Sequence, residues 1–221
     1  MAEKKHYKAV LFDLDGTLLN TSRGVFNSVL YMAEKMGFSK PDPECLRTFI
    51  GPPIRDSVKR VWGTDDEAAV KAHHYFQEAY IGGESLNTDH YPGMMELLKE
   101  LKKAGIRIGV ATLKPGAQAK EVLAHCGIAP YIDHICGTDS TGIGSKESRI
   151  RNCLDAFGIP AEDSVEIGDT EFDAVGAHAA GSDFMAVLYG FGPRTEKEWE
   201  RMDPVCCAKN PDDIRRYLLG F

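Results

Sequence analysis

Hydrophobic and polar positions alternate along the chain in two ways. Short strand-like runs lie near residues 8–14, 107–112, 133–136, 164–168, 184–189 and 205–208. In the first of them Ala9 to Phe12 is apolar throughout, as a strand buried on both sides requires. Between most of them the apolar positions follow a helical period. Met94, Leu97, Leu98 and Leu101 recur at i, i+3, i+4 and i+7, with Gly93 ahead and Gly105 behind as a stop. Pro115 to Cys126 and Lys146 to Phe157 read the same way. Strand–helix alternation predicts an α/β fold, a Rossmann-like parallel sheet with helices on both faces.

Residues 18–90 break this alternation. They carry helical patterns near 22–37, 43–49, 54–61 and 65–80 and no convincing strand. Val25, Val29, Met32, Ala33 and Met36 make one apolar face in the first of these. The block reads as an α-helical cap domain, residues 18–90, inserted into a core made of residues 1–17 and 91–221. The interval from Thr112 to Lys146 is already filled by a helix and a strand, so no second insertion fits there. There is no internal repeat and no low-complexity segment.

The first apolar run ends in Asp13-Leu14-Asp15-Gly16-Thr17. Two acids at i and i+2 share a side while the strand stays extended. At about 4 Å and an effective dielectric near 20 they repel by roughly 4 kcal/mol. A bound cation, or a nucleophile working beside a proton donor, explains such a pair; so does a solvated turn, since Asp and Gly are favoured turn residues. Three later groups change that balance. Ile108 to Thr112 is an apolar run ending in a hydroxyl, Lys146 opens a helix after the Gly-rich stretch 142–145, and Val165 to Gly168 leads into Asp169 and Asp173 at helical i, i+4 spacing. In open α/β folds ligands bind beyond the carboxyl ends of the strands, where all of these fall.

Composition narrows the function classes. The 221 residues suffice for one sizeable core plus a smaller module. The formal charge of −7 speaks against an extended nucleic-acid or anionic-membrane partner. No apolar run approaches the roughly 20 residues of a membrane span, and no secretory signal precedes the first strand. Six cysteines are scattered without Cys-x-x-Cys or zinc-finger spacing, as in a reduced cytoplasmic protein. His73-His74 is a poor metal pair, because adjacent helical residues diverge.

The ordered set Asp-x-Asp-Gly-Thr, strand-Thr, Lys, strand-Gly-Asp-x-x-x-Asp resembles the haloacid dehalogenase-like hydrolase superfamily. Asp13, Asp15 and Thr17 match its first motif, Thr112 its second, Lys146 its third, and Asp169 with Asp173 its fourth. Phe49-Ile50-Gly51-Pro52-Pro53, Thr112-Leu113-Lys114-Pro115 and Tyr189-Gly190-Phe191-Gly192 are similar to the phosphoglycolate phosphatase-like branch. Leu113 departs from it, standing where relatives often carry a small polar residue; its backbone N–H is the group expected to matter.

The resemblance implies a phosphatase of small phosphate monoesters that works through an aspartyl-phosphate. Asp13 would be nucleophile and Asp15 general acid and base, with Thr112 and Lys146 holding the transferring oxygens. Mg²⁺ would be held by Asp13, Asp169 and the backbone carbonyl of Asp15. Asp173 and Thr17 would support it from outside, through a metal-bound water, Lys146 or the metal loop. Gly16, Leu113, Lys114 and, in the cap, Arg55 would meet substrate. The partner is a small phosphorylated metabolite, with 2-phosphoglycolate first and a nucleoside 5′-monophosphate second. Asp15 ranks down a dehalogenase, Thr17 a sugar-phosphate mutase, and the intact acid pair a phosphate-sensing protein without catalysis.

Overall fold

The computed structural model describes residues 5–139 and 144–220. Part of the Gly-rich stretch ahead of Lys146, residues 142 and 143, lies outside them. From the N-terminus, β1 (Ala9–Phe12) and β2 (Leu19–Asn20) lead into α1 (Ser22–Met36), α2 (Pro43–Arg47), α3 (Ile54–Trp62) and α4 (Asp66–Ile81). Then follow β3 (Asp89–His90), α5 (Met94–Lys103), β4 (Arg107–Pro115), α6 (Gly116–His125), β5 (His134–Thr138) and α7 (Lys146–Phe157). The chain ends with β6 (Ser164–Gly168), α8 (Glu171–Ala180), β7 (Asp183–Val187), α9 (Glu196–Trp199), β8 (Cys206–Ala208) and α10 (Pro211–Leu219).

Six strands form one parallel sheet in the order β5-β4-β1-β6-β7-β8. From β1 the chain builds outward through β4 and β5. It then crosses back through α7 to lay β6 on the other side of β1. That reversal makes a switch point between β1 and β6, where parallel sheets open a crevice at their carboxyl ends. The central position of β1 explains its sequence. All four of its residues are fully buried, and each large one contributes roughly 1.5–3 kcal/mol of transfer free energy. Under α7 and α8 the core holds Leu11, Ile150, Cys153, Phe184 and Trp199.

The chain divides into two compact units, Met1–Asn20 with His90–Phe221, and Thr21–Asp89. The second is helical and has its own core, built on Val29, Met32, Phe49, Val58 and Phe76. Asp42 caps α2 by accepting from the Cys45 N–H at 2.8 Å, and Asp65 caps α4 through the Ala68 N–H at 2.8 Å. Each satisfies a donor that the helix itself leaves open.

Three expectations need correction. Residues 18–90 are not free of strands, because Leu19–Asn20 and Asp89–His90 pair in a small ribbon. Two-residue strands are too short to show any alternation. The second motif strand does not stop at Thr112; β4 runs to Pro115 with a register shift after Ala111, and such irregularities re-aim side chains at sheet edges. Asp169 is not on a helix either. It precedes Thr170, the N-cap of α8, and Asp173 is the third helical residue.

Candidate active site

Strand β1 ends at Phe12, and the backbone turns before it reaches Asp15. The Asp13 N–H still donates to the Ile167 carbonyl at 2.9 Å, which anchors the turn to β6. Gly16 has φ +94°, and a Cβ there would collide with the Asp169 carboxylate and, at 2.7 Å, the Phe191 ring. Only glycine takes that conformation without strain, and only glycine leaves the room.

The two acids expected to repel each other are each given a lysine. Lys146 Nζ lies 2.7 Å from Asp13 Oδ1, and Lys114 Nζ lies 2.9 Å from both Asp15 oxygens. Lys114 is thus engaged with the first motif. Thr112 is buried, and its hydroxyl accepts from the Lys114 N–H at 3.1 Å, bending the end of β4. Leu113 points out, and its carbonyl accepts from the Thr138 hydroxyl at 3.3 Å.

Lys146 is the first residue of α7, after Ser145, whose hydroxyl accepts from the Ser148 N–H at 3.2 Å. A cation at a helix N-terminus faces the positive end of the dipole, and Lys146 is also 4% exposed. Both factors work against it. Its surroundings compensate: Asp13 and Asp173 at 2.7 Å, Glu166 at 3.2 Å, and the Ala111 carbonyl. Burial alone would lower its pKa, but Asp13, Asp173 and Glu166 outweigh that and hold it well above the usual lysine range.

Asp169 closes the site from β6. It is fully buried; Oδ2 accepts from the Phe191 N–H at 2.7 Å and Oδ1 from the Thr17 hydroxyl at 3.3 Å. Asp173 completes a capping box. Its Oδ2 accepts from the Thr170 N–H at 2.9 Å, the Thr170 hydroxyl at 2.8 Å and the Asp169 N–H at 3.1 Å, while Oδ1 faces Lys146. Carboxylate oxygens of Asp13, Asp169 and Asp173 all lie within 4.8 Å of one another. Burial raises Asp13 to about 7, against the pull of Lys146, and Asp169 to about 8, with Asp13 and Asp173 adding to the rise. The Asp13 side chain retains 13% exposure, which leaves it open to the crevice. Crowded, desolvated acids of this kind suit a hard cation, which favours their charged forms.

Asp13, Asp15, Gly16, Thr17, Lys114, Lys146, Asp169 and Asp173 therefore meet at the β1–β6 crevice, with Thr112 tied to Lys114, whereas Leu113 points away from them. Arg55 lies in the other unit, exposed in the first turn of α3. Three contributors were not anticipated. The Phe191 N–H is a backbone group with no side-chain signal. The Tyr189 hydroxyl donates to the Thr17 carbonyl at 3.1 Å; its segment was noted only as a family likeness. Glu166 is fully buried inside β6, and burial pushes its carboxyl up to about 8 against Lys146. An acid between Val165 and Ile167 in an apolar run was its available signal.

An open parallel sheet with this acid and lysine cluster at its switch point defines a phosphoryl-handling hydrolase site. Residues 10–187 match the family model described as haloacid dehalogenase-like hydrolase, and the chain belongs to that family. A 5′-nucleotidase of Pseudomonas aeruginosa is 35% identical over 86% of this chain and 86% of its own. A phosphoglycolate phosphatase of Neisseria meningitidis is 30% identical over 86% of this chain and 84% of its own. Among solved structures, a haloacid dehalogenase-like family hydrolase from Streptococcus pneumoniae has a TM-score of 0.87 at 26% identity, covering 96% of this chain and 98% of that one. The protein is a phosphoric monoester hydrolase of the phosphoglycolate phosphatase-like branch. Among the described residues no helix is long and apolar enough to cross a membrane.

Proposed function

We propose that the protein hydrolyses small phosphate monoesters through an aspartyl-phosphate on Asp13, with 2-phosphoglycolate as the first candidate substrate. The observation that carries this reading is the meeting of Asp13, Lys146, Asp169 and Asp173 at one crevice, with Asp15 beside them. Asp13 attacks phosphorus, and the bond to the leaving alkoxide breaks as the new acyl phosphate bond forms. Asp15 gives the alkoxide its proton, then takes one from the water that splits the acyl phosphate and releases inorganic phosphate. An anionic substrate offers Lys114 a second anion, and that exchange frees Asp15 to carry the proton. Lys146 and Thr112 hold the transferring oxygens, where charge accumulates.

Asp13, Asp169 and the backbone carbonyl of Asp15 would hold Mg²⁺, an ion that prefers oxygen ligands. When bound it supplies positive charge to the phosphoryl oxygens. Asp173 is committed to Lys146 and the α8 cap, so it acts from outside the ligand set, and Thr17 supports Asp169. The helical unit is assigned the role of a cap that selects substrate, with Arg55 as the contact for a carboxylate. The similarity to a 5′-nucleotidase favours nucleoside 5′-monophosphates as the second substrate class.

The test is phosphate release from phosphoglycolate, sugar phosphates, nucleoside monophosphates and pyrophosphate, with Mg²⁺ and with a chelator. The expected result is release from a small monoester that the chelator abolishes. A nucleotide as best substrate moves the assignment to the second class. No release from any ester overturns the reading.

A further inference from the structure

Glu166 takes no part in the steps above, yet it is built into their centre. It belongs to the row of β6 that faces α7 and α8. Its partners in register are Leu11 on β1 and Phe184 on β7, both fully buried in the core. An apolar side chain would serve packing better there. Neither Glu166 oxygen has a hydrogen-bond partner, although Oε1 lies 3.2 Å from Lys146 Nζ. A buried carboxyl left in this state weakens a fold, so packing does not account for it.

The geometry around Lys146 gives it a use. An ammonium has three N–H groups. Asp13, Asp173 and the Ala111 carbonyl are there to receive them. Glu166, with Oε1 3.2 Å from Nζ, is a fourth acidic neighbour that attracts the ammonium without an N–H aimed at it. We propose that Glu166 is a positioning residue, which draws Lys146 toward the floor of the crevice and so keeps its protons directed at Asp13, Asp173 and the Ala111 carbonyl. The groups that face this pair are Asp13 beyond β1, Asp173 on α8 and Cys153 on α7. Lys146 is the first residue of α7, where the helix dipole pushes a cation outward, and Glu166 opposes that push from below. The inference rests on the phosphatase reading for its kinetic consequence and on geometry alone for the placement of Lys146.

The test compares Glu166→Gln, Glu166→Met and Glu166→Asp in the full chain at about pH 9, where a carboxyl raised by burial is ionised. Four quantities are read: kcat and KM on the best ester, the thermal midpoint, and labelling of Lys146 by acetic anhydride followed by mass spectrometry. For Gln and Met, kcat falls about tenfold with KM changed less than about threefold. Their thermal midpoint stays or rises, and labelling of Lys146 increases severalfold. Glu166→Asp keeps an acid in place and loses less on each count. Parental kcat and parental labelling in Gln and Met overturn the inference, and so does a kcat loss matched by a fall in thermal midpoint in all three. If the parent releases no phosphate from any ester, the phosphatase reading fails, and labelling alone decides whether Glu166 places Lys146.

Discussion

Asp13 stands where β1 stops, and its environment pulls in two directions. Burial raises its carboxyl to about 7 while Lys146 favours the ionised form. A group that is easier to protonate in the fold than in the open chain costs stability wherever the open chain holds it ionised. Asp13→Asn therefore keeps or raises the thermal midpoint, while phosphatase kcat falls by about a thousandfold or more. Near-parental turnover in a carefully purified Asp13→Asn protein rules out the acyl phosphate. Gly16 supplies the second case. Alanine at φ +94° costs about 1–2 kcal/mol in backbone terms, and its methyl meets the Asp169 carboxylate and the Phe191 ring. Gly16→Ala is expected to lose activity beyond its loss of stability, read as a kcat decrease at a temperature where the variant is fully folded. At this scale the sequence displayed Asp13, Asp15, Lys146 and Asp169 because each lies at the end of an apolar run or opens a helix, and Asp173 because of its spacing from Asp169. It did not display the Phe191 N–H, which depends on a loop folding back over Asp169, or the pairing of Lys114 with Asp15, which depends on the bend in β4.

Elements hold the site through a few polar ties. The Asp133 side chain is 10% exposed, receives the Ile108 N–H at 2.8 Å and faces Lys102 at 2.6 Å and Arg107 at 3.5 Å. It joins the last turn of α5 to the start of β4, the strand that delivers Thr112. Burial would raise its pKa, but the Lys102 contact, the Ile108 N–H and the Lys102 and Arg107 charges outweigh that and hold it below the usual carboxylate range. A depressed carboxyl stabilises the fold above its ordinary pKa, near 4, and that contribution fades as pH falls toward its folded value. Asp133→Ala should cost about 1–3 kcal/mol at pH 7, and the difference from the parent should narrow below about pH 4. Denaturant melts at both pH values measure it; a pH-independent difference would exclude ionisation as the source. The long elements were legible because strands such as β1 and β6 are buried on both faces and helices such as α5 carry a clean apolar stripe. The ribbon of β2 and β3 and the irregularity in β4 were not, since neither leaves a periodic trace.

At the scale of the whole molecule the chain carries two cores, one under the sheet helices and one among α1 to α4. The acids and lysines of the β1–β6 crevice belong to the first unit, so changes on the surface of the second leave that cluster in place. The break in strand–helix alternation made the helical insertion visible, but no periodicity reports which ester a helical surface prefers. Arg55 is the sharpest probe of that preference. It follows Pro52 and Pro53, whose fixed φ stiffens the approach to α3, and it is exposed rather than packed into its own unit. A guanidinium binds a carboxylate through two parallel hydrogen bonds, which suits phosphoglycolate and offers nothing to a neutral aryl phosphate. Arg55→Ala should then raise KM for carboxylate-bearing esters by about 10- to 150-fold, the equivalent of about 1.5–3 kcal/mol for a charged hydrogen bond. KM for the aryl ester and kcat for both should stay near parental values. Small, equal changes for the two substrates would leave Arg55 a solvated side chain and remove the main physical support for a carboxylate-bearing substrate.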